Sequence, residues 1–277
     1  MAEPTLTHVG DVPVLLRPAR NDNAPIVVLY HGFGPPSSPQ EMAEAFPLAM
    51  LDANLAYVGL PMFGERLPAG GIDEIIDRQA RDYLRQLLMP VVDQAADELT
   101  TTVTAIAERT NANAKALALL GFSAGGVVVA ANLIRAQVPI QAAVLVNTVN
   151  SAAAVALSER LSDSPYPWDN DARAAAHRAD LTAHAAALAA HPHPPALLIL
   201  HGANDEYATP DDARNLYHTL SNAYLDSGHT DLAELRFFDN VAHHLTGANQ
   251  HAEGLSPAAP LNEAASTWLA AHLNKTT

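Results

Sequence analysis

Lys115-Ala-Leu-Ala-Leu-Leu-Gly121-Phe-Ser123-Ala-Gly125-Gly126 decides how this chain reads. An apolar run leads into a G-x-S-x-G pattern, and a stretch of small residues over 127–137 leads out. The expected structure is a strand, a sharp turn and a helix, with Ser123 at the turn. Such a turn holds its serine in a strained backbone conformation. A side chain at 121 or 125 would crowd it, so glycine fits there. The hydroxyl then projects from the sheet edge above a helix N-terminus, whose free N–H groups favour negative charge.

Outward from this turn the chain alternates strand and helix. Residues 12–16, 26–30, 55–60, 116–120, 142–146, 196–200 and 235–238 read as strands. Most are uninterrupted apolar runs, the pattern of a mainly parallel sheet buried on both faces, so the fold class is α/β. Pro90 suits the first turn of a helix whose Val92, Ala95, Ala96, Leu99, Val103 and Ile106 recur at helical spacing. Ile72, Ile75, Ile76, Tyr83, Leu84, Leu87 and Leu88 form a similar stripe before it. Thr209 reads as an N-cap followed by Pro210 and two acids. Leu261, Ala265, Trp268, Leu269 and Leu273 make a closing amphipathic helix.

Two segments exceed simple alternation. Residues 64–89 read as an insertion with a helix of its own. Residues 151–195 separate two strands by more than a loop requires. They contain Ser164-Pro-Tyr-Pro-Trp168 and an alanine-rich helix over 172–190. We read them as a cap over the carboxyl edge of the sheet, where open α/β sheets place ligands. The plainer reading is a crossover helix with a long lead-in. No repeat divides the chain, and the whole of 1–277 is expected to form a single domain.

Composition narrows the function. With 49% hydrophobic residues the chain can bury a substantial core. A formal charge of −15, from 30 acidic and 15 basic residues, disfavours nucleic acid and anionic membranes as partners. The absence of cysteine removes disulfides, thiolate catalysis and cysteine metal sites. The N-terminal residues lack the basic-then-apolar pattern of a signal peptide, and no run of eighteen apolar residues exists. The expectation is a soluble, cytoplasmic protein. A homodimer stays open.

A serine hydroxyl needs an adjacent base, and the base needs an orienting acid. In a sheet of this kind they follow the serine in the order acid, then histidine, each after a strand. The strand over 196–200 runs into His201-Gly-Ala-Asn-Asp205-Glu206. Asp205 is the candidate acid and Glu206 its rival. The strand over 235–238 runs into Asp239-Asn-Val-Ala-His243-His244. Neighbouring side chains diverge, so one of these histidines can meet Ser123. Spacing does not choose between them; we take His243, with His244 as the alternative. For the negative charge that develops on an attacked carbonyl, two backbone N–H donors are expected, from Ala124 and from Phe33 in the loop His31-Gly-Phe-Gly-Pro-Pro36.

The other histidines read as structural. His31 and His201 precede glycines at strand ends and are expected to pin turns. His229 lies before the last strand, on the wrong edge. His191 and His193 alternate with prolines and lack further metal ligands. His177 and His184, on one expected helix face, would stand about 10.5 Å apart along the axis, too far to share a metal. No metal is expected.

Taken together, Tyr30-His-Gly-Phe-Gly34, Gly121-Phe-Ser-Ala-Gly-Gly126, His201-Gly-Ala-Asn-Asp205 and Asn240-Val-Ala-His-His244 resemble the α/β-hydrolase superfamily, from about residue 10 to the end. Leu60-Pro-Met-Phe-Gly-Glu-Arg66 is similar to a segment of small esterases related to the prolyl-oligopeptidase and dienelactone-hydrolase branches. Phe63 stands where those often carry histidine, and Ser123 where dienelactone hydrolases carry cysteine. A propeller domain of the prolyl-oligopeptidase kind is not expected. The resemblance implies an eight-stranded, mostly parallel sheet and no cofactor.

The leading expectation is a serine esterase acting on small to medium carboxylic esters. Ser123 is the nucleophile, His243 the base and Asp205 the orienting acid. An aminopeptidase or amidase of the same fold is the second reading; it needs a carboxylate pair for a free amine, for which Glu65 and Asp169 are the candidates. A catalytically silent binding protein is the third.

Overall fold

The structure, a computed structural model, describes residues 3–148, 159, 164–246 and 257–273. Its centre is an eight-stranded sheet: β1 (Thr5–Val9), β2 (Val12–Arg17), β3 (Pro25–Tyr30), β4 (Asn54–Val58), β5 (Asn113–Phe122), β6 (Ala142–Val146), β7 (Ala196–Gly202) and β8 (Ala233–Phe238). The strands lie in the order β1-β2-β4-β3-β5-β6-β7-β8. β1–β2 and β2–β4 pair antiparallel; every other pair is parallel. This is the α/β-hydrolase arrangement that the motifs imply. β1 has no counterpart among the strands read from sequence. Its signal is the two-residue turn Gly10-Asp11, which joins Val9 to its partner Val12.

Strand residues alternate between two cores. In β3, Ile26, Val28 and Tyr30 face a layer that includes α2 (Gly71–Asp82), α3 (Met89–Thr110) and α4 (Ala124–Arg135). Val27 and Leu29 face the opposite layer, which includes α1 (Pro39–Ala45) and α8 (Ala259–Leu273). Burial on both faces explains the continuous apolar runs. The 64–89 segment carries α2, and a π-helical turn over Tyr83–Leu88 joins it directly to α3.

The single alanine-rich helix expected over 172–190 is two helices, α5 (Asn170–His177) and α6 (Leu181–Ala189). Each has its own aspartate cap: Asp169 accepts from Ala172 N–H and Asp180 from Thr182 N–H, both satisfying donors at a new helix start. α6 packs on α4 and on α7 (Pro210–Asp226), where a crossover between β6 and β7 belongs. α5 instead meets the π-helical turn. The break also corrects the reading of two histidines. His177 and His184 sit on different helices, and their ring centroids are 4.5 Å apart. The first part of the expected cap, up to residue 163, lies outside the described residues apart from Glu159.

Candidate active site

The turn after β5 has the expected shape. Ser123 adopts φ 52° and ψ −119°, and α4 begins at the next residue. A non-glycine residue in such a conformation costs on the order of 1–3 kcal/mol, so surrounding contacts must hold it. They do: Ser123 N–H donates to Val146 O at 2.9 Å, and Gly126 N–H donates to Ser123 O at 2.9 Å. A methyl group on Gly125 would lie 2.3 Å from Tyr30 O and 2.5 Å from His31 O. The turn is therefore pressed against the carboxyl end of β3.

That contact brings in the loop after β3. A methyl group on Gly32 would stand 3.1 Å from Ser123 Cβ, so the main chain that carries Phe33 passes beside the serine. His31 fixes this loop. Leu60 N–H donates to His31 Nε2 at 3.1 Å, which leaves Nδ1 as the protonated nitrogen, 2.7 Å from Gly32 O. Burial pulls the His31 pKa down to about 4, so the ring is neutral near pH 7. Gly32 N–H closes the loop on Pro36 O at 2.9 Å. The Phe33 ring stacks on Phe63 with centroids 4.6 Å apart and meets Tyr83 edge-on at 6.2 Å.

The acid and base arrive from the far side of the sheet. His243 Nε2 is 2.9 Å from Ser123 Oγ, and His243 Nδ1 is 2.8 Å from Asp205 Oδ2. An ionised carboxylate only accepts, so Nδ1 carries the proton and Nε2 is free to accept from the serine hydroxyl. The other oxygen, Asp205 Oδ1, accepts from Tyr207 N–H at 2.8 Å and Ala208 N–H at 3.0 Å. These two bonds aim Oδ2 at the imidazole. Ser123, Asp205 and His243 are all buried.

Of the paired histidines, only one ring lies at both Ser123 and Asp205. His243 enters the relay; His244 Nε2 instead points at Gly34, where a methyl group would meet it at 2.7 Å. Burial, and then the neighbouring His243, lower the pKa of His244. His201 pins its turn, its Nε2–H donating to Ala208 O at 2.9 Å.

Other expected candidates are occupied elsewhere. Glu65 accepts from exposed His8 at 2.9 Å. Asp169 caps α5 and pairs with Arg85 at 2.8 Å. Arg66, in the Gly-Glu-Arg segment, donates to Gly59 O and to Glu98, both at 3.0 Å, tying that loop to α3. Among the described residues no cluster of three or more histidine, cysteine or acidic side chains forms a metal site. Among the same residues no helix is long and apolar enough to cross a membrane.

Two loops complete the frame. Ala203 N–H donates to Phe238 O and Asn204 N–H to Val241 O, so the ends of β7 and β8 are stitched together. Leu245 N–H donates to Pro35 O at 3.1 Å, which joins the histidine loop to the glycine-proline loop.

The profile of the prolyl oligopeptidase family, Peptidase_S9, matches residues 79–262, more than half of the chain. The chain belongs to the prolyl oligopeptidase family. With the relay at Ser123 it is a serine hydrolase of the α/β-hydrolase superfamily. No curated protein matches the sequence. Among solved structures it is similar to TT1662 from Thermus thermophilus, with a TM-score of 0.67, 17% identity, and 96% of this chain and 95% of that one covered. It is also similar to a puromycin-hydrolyzing peptidase of Mycobacterium tuberculosis, with a TM-score of 0.67 and 18% identity; there 98% of this chain spans 39% of the other. Esterase 2 of Thermogutta terrifontis gives a TM-score of 0.63 at 14% identity, covering 97% of this chain and 94% of that one. At such identities the likeness shows the fold.

Proposed function

We propose that this family member is a carboxylesterase acting on small to medium carboxylic esters. The observation that carries it is the continuous relay from Ser123 Oγ through His243 to Asp205, with steps of 2.9 and 2.8 Å. Ser123 Oγ attacks the ester carbonyl as His243 Nε2 takes its proton. Asp205 stabilises the resulting imidazolium without itself taking the proton. The backbone N–H groups of Ala124 and Phe33 receive the oxyanion, the former from the first position of α4, where N–H groups have no intrahelical partner. His243 returns the proton to the leaving alcohol. Water then repeats the sequence on the acyl-enzyme.

The family match and the puromycin-hydrolyzing relative favour a peptidase as the second reading. Recognition of a free amine calls for an available carboxylate. The two acids suggested for that role, Glu65 and Asp169, are engaged by His8 and Arg85. Ester and anilide substrates with the same acyl group separate the readings, with faster turnover of the ester expected. Ser123→Ala should lower kcat on a chromogenic ester by roughly 10⁵–10⁶-fold while leaving the fold intact. Turnover retained in that variant defeats the proposal.

A further inference from the structure

His243 must travel to reach Ser123. The serine follows β5 and the histidine follows β8, with β6 and β7 between them. The loop after β8 therefore runs back across the ends of two strands. Imidazole placement depends on what holds this crossing in position.

One side chain lies under the crossing. Asn147 follows the last residue of β6, is fully buried, and has a positive φ of 42°. Its Nδ2 donates to Ala242 O at 2.9 Å and to His243 O at 3.0 Å. Its Oδ1 accepts from Gly202 N–H at 2.8 Å. Its own N–H donates to Leu200 O at 3.0 Å. Both amide donors and the amide acceptor are thus taken up by main chain. Aspartate lacks the donors, and a hydroxyl has one donor instead of two. Gly202 ends β7, three residues before Asp205, so a single amide joins β6, the strand end that leads to the acid, and the backbone of the base itself.

We propose that Asn147 is a positioning residue of the relay, holding the main chain of His243 so that Nε2 stands at Ser123 Oγ. It acts through His243 and touches no substrate. The inference rests on the serine-hydrolase reading of the site. Angstrom-scale misplacement of a reacting group commonly costs on the order of 10²-fold in rate.

The test compares wild type with Asn147→Ala, Asn147→Ser and Asn147→Asp. It measures thermal melting, kcat and KM on a chromogenic ester, and the rate at which a fluorophosphonate labels Ser123. Labelling of wild type comes first, because an unlabelled wild type defeats the serine-hydrolase reading itself. Given labelling, Asn147→Ala should lose about 10–100-fold in both kcat and labelling rate, with KM within about threefold. Asn147→Ser should fall between, since it keeps one donor. Asn147→Asp should lose at least as much as alanine, because its carboxylate faces two carbonyl oxygens. A role confined to stability would lower the melting temperature and leave the rates of folded protein unchanged. Any folded variant of the alanine or aspartate type within twofold of wild type on both rates overturns the proposal. So does failure of all three to fold, which would make Asn147 a folding residue.

Discussion

The rim around Ser123 and the seam between α2 and the 164–177 segment both rely on polar contacts, yet they hold them differently. At the rim, donors and acceptors are buried and most are main-chain groups: Asp205 on two N–H groups, Asn147 on two carbonyls and one N–H, His31 on Gly32 and Leu60. At the seam, ion pairs between side chains join one element to the next. Arg85 bridges Asp82, which is buried, and Asp169, which is exposed. A buried bond stands among them, Tyr166 Oη–H to Asp82 Oδ1 at 2.7 Å. Main-chain anchors fix position closely, because strands cannot shift singly. Exposed ion pairs contribute about 0–1 kcal/mol each and can re-pair. The rim is therefore expected to be intolerant and the seam adjustable.

The sharpest way to break this contrast is at the acid. Asp205→Asn keeps an acceptor for Tyr207 and Ala208 but presents the imidazole with an amide in place of a charge. The wrong tautomer of His243 then becomes favoured, and kcat should fall by roughly 10⁴-fold with the fold intact. Steady-state kinetics with a melting curve checks it. A loss below tenfold would mean that the rim does not depend on Asp205.

A smaller effect tests the rim through stability. His31 has a folded pKa of about 4 against 6.5 in its ordinary state, because burial disfavours the charged ring. Below pH 6.5 the unfolded chain gains a proton on this residue while the folded chain does not. Its contribution is fully present above pH 6.5 and is lost as pH falls towards 4. The shift corresponds to about 3 kcal/mol. Denaturant unfolding of wild type and His31→Asn should show a stability gap that narrows by about that amount between pH 7 and pH 4. A gap independent of pH would show that His31 is not held as a buried neutral ring.

Much of this rim was legible in the sequence because its hydrogen-bonded relay residues lie in the loops that follow strands. Ser123, Asp205 and His243 each sit where an apolar run ends, so alternation and chain order locate them. The choice between His243 and His244 needed coordinates, since both occupy the same loop. Asn147 was missed for a different reason. Its partners Gly202, Ala242 and His243 lie 55 to 96 positions away, and no local spacing reports on them. Helix α1 was missed although Ser38 and Glu41 carry a capping signal, with Glu41 N–H donating to Ser38 Oγ at 3.2 Å. The break between α5 and α6 was hidden because alanine favours helix on both sides of it. There the decisive residue is Asp180, whose side chain accepts from both Thr182 N–H and Thr182 Oγ1–H.

The smallest expected effect probes the seam at the buried bond between Tyr166 and Asp82. Tyr166→Phe removes the hydroxyl that donates to Asp82, but it does not strand the carboxylate. Asp82 still accepts from Arg85 N–H at 2.9 Å and from the Arg85 guanidinium. Because the acceptor remains satisfied, the cost should be about 1 kcal/mol, the net value of one hydrogen bond and not the penalty for an orphaned charge. None of these atoms belongs to the Ser123–His243–Asp205 relay, so kcat should stay within twofold and any change should fall on KM. Melting curves and ester kinetics on the same preparation measure both quantities. A tenfold fall in kcat with KM unchanged would mean that the seam transmits to the relay, and the rim could no longer be treated as held by its own anchors alone.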